Sequence, residues 1–136
     1  ELLAMELTSS EEDLEELAQA NKEQHLIAIE SDAGGFSPRG FGFSGETSSL
    51  TKLRSWLPLF PQATIGFINK GGGGVDVGPL HRQTGTPMMG LSVDSQRMFD
   101  LHHSPNDNFD TVNPRELHLG AASLTTMIYL IDQHGL

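Results

Sequence analysis

Short apolar runs bounded by turn residues recur along this chain, with helix-forming stretches between them. That alternation limits the possible folds more than any other feature of the sequence. "LLAMEL" (Leu2 to Leu7), "HLIAIES" (His25 to Ser31), "ATIGFI" (Ala63 to Ile68) and "PMMGLSV" (Pro87 to Val93) read as strands. "TSSEEDLEELAQAN" reads as a helix capped by Ser9 or Ser10, with Leu14, Leu17 and Ala18 as its apolar stripe. Its Glu11, Glu12, Glu15 and Glu16 read as a solvated face. "SSLTKLRSWLPLFP" predicts a helix from about Ser48 to Leu57, stopped by Pro58 and Pro61. "NPRELHLGAASLTTMIYLIDQHG" is the clearest helix. Asn113 caps it, Pro114 takes its first position, Glu116 can complete a capping box, and Gly135 can end it. Leu117, Ala121, Leu124, Ile128 and Ile131 lie on one apolar face. "DAGGFSPRGFGFSG" reads as a turn-rich loop.

The pattern predicts one α/β domain over residues 1–136, with a mostly parallel sheet. A hydrophobic content of 37% suits a globular core. The formal net charge of -10 argues against nucleic acid and against an anionic membrane surface. No cysteine is present, so any metal site must use His, Asp or Glu. No apolar run has the length of a membrane span. The chain starts at Glu1 without Met, and we expect a trimmed or engineered start; the missing signal peptide therefore says little about compartment.

In parallel α/β sheets, ligands sit beyond the C-terminal ends of the strands. Three such ends stand out. One carries Asp32, two residues after Glu30. One carries the run Gly71 to Gly74 and then Asp76. One leads to "DLHHSPNDNFD", with His102 and His103. If the strands are parallel neighbours, these groups converge on one edge. A carboxylate at a strand end suits a metal ligand or an acid/base group, and equally a turn or cap. Glu30 and Asp32 are expected to share a side of their strand. In an extended loop His102 and His103 point to opposite sides, so at most one reaches a given metal. Asp107 and Asp110 could orient that histidine by accepting its other N–H. The same stretch also reads as a plain polar surface loop. The glycine run lacks the Lys-Ser/Thr ending of a P-loop, and reads as backbone lining a cleft and approaching something closely. No G-x-S-x-G elbow occurs, and His25, His81, His118 and His134 read as surface or structural groups.

"IESDAGGFSPRGFGFSG" together with "HHSPNDNFDTV" resembles the C-terminal half of the co-catalytic zinc exopeptidase domain, in the carboxypeptidase Q-like and zinc aminopeptidase group. "GGVD" and "TGTPMMGLSVD" fit the same half, and the resemblance covers nearly all of Leu26 to Leu136. It implies a three-layer α/β/α fold with a mixed sheet, truncated relative to the family domain. It also implies that Asp32 binds one zinc and that His103, not His102, is the final zinc ligand, with Ser104 and Asp107 in their family places. Asn108 stands where the family usually has Thr. Glu6 aligns with the general base, while Leu7 stands at the following ligand position, and no His-x-Asp motif occurs. Gly74, Asp76 and Asp107 are expected to line or support the cleft.

The family chemistry is two-zinc hydrolysis of a terminal peptide bond, with a peptide or dipeptide as substrate. Two surviving ligands imply at most one weak zinc site, because catalytic zinc normally takes three protein ligands and water. We therefore read the chain as a fragment, or an engineered or degenerate half, that is inactive or nearly so alone. The alternative is a non-catalytic module that binds a peptide or another subunit. An exposed sheet edge would favour a homo-oligomer. The family leads us to expect a secreted or periplasmic parent.

Overall fold

The computed structural model describes residues 24–33, 35–61 and 63–136. The expected strand Leu2 to Leu7, the helix after it and the general-base candidate Glu6 lie outside the described residues. Among the described residues, four strands form one mixed sheet: β1 (Ala28–Glu30), β2 (Pro38–Ser44), β3 (Phe67–Lys70) and β4 (Met88–Val93), in the order β1-β4-β2-β3. β1 runs parallel to β4 and β3 parallel to β2, while β2 and β4 are antiparallel. The helices are α1 (Thr47–Ser55), α2 (Gly78–Thr84), α3 (Met98–Leu101) and α4 (Pro114–His134). The molecule is thus an α/β fold on an open mixed sheet.

One of the two interior strands, β2, falls where the sequence reads as a loop. In "PRGFGFS" glycines alternate with phenylalanines, and the glycines mimic a turn. The alternation is the period of a strand. Phe41 and Phe43 are fully buried in the core. A Cβ on Gly40 would strike the Phe67 ring at 2.5 Å, and one on Gly42 would meet the Gly71 carbonyl oxygen at 2.6 Å. Side chains fill one face of β2, and close-packed chain covers the other. The register shifts between Pro38 and Gly40, and Arg39 extends from this irregularity to Asp94 at 2.8 Å. The third strand also starts later than expected, at Phe67, because Thr64 and Ile65 close a turn onto the Pro61 carbonyl.

The core joins Phe41, Phe43, Ile68 and Met89 of the sheet to Leu50 and Leu53 of α1 and to Met127, Leu130 and Ile131 of α4. Phe41 and Phe60 meet edge to face, with centroids 6.1 Å apart. α1 ends at Ser55 rather than Leu57, and Pro58 sits in the 3-10 turn Leu57–Leu59 that follows.

α4 starts as its sequence predicts. The Asn113 side-chain oxygen accepts from the N–H groups of Arg115 and Glu116, with Pro114 in the first turn. Its Glu116 does not close a capping box; the carboxylate binds Ser37 and Arg97 instead. Its buried face matches the predicted stripe only in part: Ile131 is in the core and Leu124 packs against it. Gly120, Ser123, Met127, Leu130 and Ile131 are buried, whereas Ala121 and Ile128 are exposed. The helix is turned by about one residue from the hydrophobic optimum, roughly 100°. Two small residues, Gly120 and Ser123, lie on the buried face, and the Ser123 hydroxyl satisfies itself on the Leu119 carbonyl.

Candidate active-site cleft

β1 and β4 are parallel neighbours, with Glu30 opposite Gly90, so the chain leaves both at the same edge. Beyond β1 it turns through Asp32 and Ala33. Beyond β4 it runs through α3 into His102 and His103. These two segments enclose a cleft of about 180 Å³. Asp32, His102, His103 and Asp107 supply its polar lining, and Phe36, Met98 and Leu101 its larger apolar groups. The volume holds a few waters or a small polar group, and falls short of a typical drug-sized pocket.

The expected third contribution does not arrive the same way. β3 runs opposite to β1 and β4, so its C-terminal end lies at the other edge of the sheet. From there the glycine run crosses a sheet face. Gly72 lies over Gly42, Gly73 over Gly90 and Gly74 against Glu30. Gly71, Gly72, Gly73 and Gly74 all have positive φ, a conformation that favours glycine. The close backbone approach read from the sequence is therefore an approach to the sheet itself. The Glu30 carboxylate fastens the far end, accepting from the N–H groups of Asp76 at 3.0 Å and Val77 at 3.3 Å. Gly74 and Asp76 thus sit at Glu30 and are not among the residues lining the cleft.

The two histidines do not diverge as an extended loop would make them. His103 has φ +55°, in the left-handed region, and its ring stacks on His102 with centroids 3.7 Å apart and planes 16° apart. Such a conformation costs a residue bearing a side chain about 1–3 kcal/mol, and such strain clusters at functional sites. The flanking backbone is fixed by short turns. The Ser104 hydroxyl donates to the Leu101 carbonyl at 2.6 Å, and the Asp107 N–H donates to the Ser104 carbonyl at 2.9 Å. Asn108 accepts from the Asp110 N–H and so caps the 3-10 turn Phe109–Thr111, a role its side-chain oxygen fills as a threonine hydroxyl would. Among the described residues, neither Asp107 nor Asp110 accepts a hydrogen bond from an imidazole.

A polar clamp behind the cleft escaped the sequence reading. Arg97 makes a two-pronged contact with Glu116 at 3.1 and 3.2 Å, and its guanidinium lies 5.6 Å from the centre of the Phe36 ring. The Ser37 hydroxyl donates to the same carboxylate at 2.6 Å. Asp94, on the neighbouring turn, is held below the ordinary aspartate range, chiefly by its hydrogen bond from Arg39 and then by the Gln96 N–H. No spacing rule links Arg97 to Glu116, since folding alone brings them together. The only signal was Glu116 itself, which a capping box already explained.

Asp and His are the ligand types zinc takes when cysteine is absent. The donor chemistry at the cleft therefore fits zinc in kind. It does not fit in number: among the described residues, no group of three or more His, Asp or Glu side chains is arranged to hold a metal ion.

Comparison with curated proteins finds carboxypeptidase Q. The chain is 28% identical over 116 residues to the protein of Bos taurus, 27% to that of Homo sapiens and 26% to that of Mus musculus. The similarity is distant, and it is to a peptidase. Each alignment covers 85% of this chain and 24% of the relative, so the chain spans about a quarter of the length of the curated relatives it matches. No family model matches, and no solved structure matches significantly.

Proposed function

We propose that this chain carries the ligand-bearing C-terminal edge of a zinc exopeptidase cleft, with Asp32 and His103 as its zinc ligands and Asp107 supporting them. The parent activity is hydrolysis of a terminal peptide bond. The observation that carries this reading is the meeting of Asp32 and His103, remote in sequence, around one cleft at the ends of two parallel strands. By itself the chain binds zinc weakly and hydrolyses peptides poorly, because two ligands fall short of the three that catalytic zinc normally takes. The test is incubation with zinc and a dipeptide or a leucine chromogenic substrate. Negligible turnover is expected. Turnover that disappears in His103→Ala would contradict the inactivity.

A second reading is a non-catalytic peptide-binding module. It is favoured by the apolar wall of Phe36, Met98 and Leu101 beside the polar groups, a pairing that suits one side chain and the backbone of a peptide. Zinc calorimetry separates the two. Saturable binding lost in Asp32→Ala favours the metal site, and no heat of binding favours the module.

A further inference from the structure

The stacking of His102 on His103 has no role in the site described so far. We propose that His102 is a positioning residue, which holds the His103 imidazole in the cleft through its ring face rather than through a nitrogen. Adjacent side chains ordinarily diverge, and these two meet because His103 takes φ +55°. An imidazole nitrogen coordinates along a lone pair in its own ring plane. With planes 16° apart and centroids 3.7 Å apart, an ion in the plane of one ring lies far out of the plane of the other. The pair cannot both bind one ion, so one of them acts by packing. His102 has the support for that part: the Phe99 ring meets it nearly edge-on, with centroids 6.5 Å apart and planes at 72°. The backbone N–H of His102 donates to the Met98 carbonyl at 2.8 Å. A ligand histidine is usually oriented by an acceptor on its second nitrogen. Among the described residues no carboxylate does this for His103, and the stack takes that place.

The metal arm of this inference rests on the zinc reading above, and the ring geometry stands without it. The experiment uses the full chain, His102→Ala and His102→Phe, which keeps a stacking ring and removes both nitrogens, with His103→Ala as control. One readout is the His103 ring proton shifts by NMR, which a stacked neighbour displaces upfield. The other is zinc affinity by calorimetry. We expect His102→Ala to release the upfield shift and to weaken zinc about tenfold, the low end for loss of an orienting partner. His102→Phe should keep the shift and restore affinity to within about threefold of the parent chain. If His102→Phe binds as poorly as His102→Ala, a nitrogen of His102 is at work and the proposal fails. It also fails if the His103 shifts are unchanged in His102→Ala. If the parent chain binds no zinc while those shifts respond as expected, the zinc reading fails and the positioning role stands.

Discussion

A methyl group on Gly42 would sit 2.6 Å from the Gly71 carbonyl oxygen, and one on Gly90 would overlap the Gly73 carbonyl. Both neighbours are backbone, which cannot turn aside. Gly90→Ala should therefore cost about 1–3 kcal/mol, the range for overpacking. Urea unfolding measures this as a lower midpoint at unchanged slope. Asp94 offers a residue-level test of charge. Its hydrogen bond from Arg39 lowers its folded pKa, so the associated stability is present above the unfolded value and is lost as pH falls through the folded one. Arg39→Gln should raise the Asp94 titration midpoint toward the ordinary aspartate range, read by carboxyl carbon NMR. A midpoint that stays put would assign the effect to the Gln96 N–H. The pair is exposed, so its effect on overall stability should be slight.

The elements differ in how clearly the sequence announced them. α4 was legible at its ends, because Asn113, Pro114 and Gly135 are local signals that need no tertiary context. Its rotation was not legible, because hydrophobicity ranks Ile128 and Leu117 above Gly120 and Ser123, whereas the folded helix buries Gly120 and Ser123 and leaves Ile128 and Leu117 exposed. Ile128 is 52% exposed and Met127 fully buried. Met127→Ala should cost about 2–5 kcal/mol. Ile128→Ala should stay near 0.5 kcal/mol, roughly the scale of surface substitutions. Equal losses in thermal unfolding would restore the stripe read from the sequence. β2 was missed for a related reason: its glycines are explained by the chain lying over them, and that chain is distant in sequence. Asp32 and the histidine loop were legible as strand-end groups. The ring stack and the Arg97–Glu116 clamp were not, because each depends on a conformation or contact that no local pattern encodes.

At the scale of the molecule, the described sheet is bounded by two short strands, β1 and β3, and α4 presents exposed Ile128 and Tyr129 to solvent. Unpaired strand edges and apolar surface both favour association. We expect sedimentation equilibrium to show a concentration-dependent oligomer, and a strictly monomeric profile would count against it. The meeting of two strand-end segments at one cleft is the central feature of the fold, since it alone unites Asp32 with His103. Its most direct test is a zinc titration followed by amide NMR. Gradual, weakly saturating shifts are expected in two segments together, around Asp32 to Phe36 and around Met98 to Asp107. Shifts in only one segment, or centred elsewhere in the chain, would contradict the shared site.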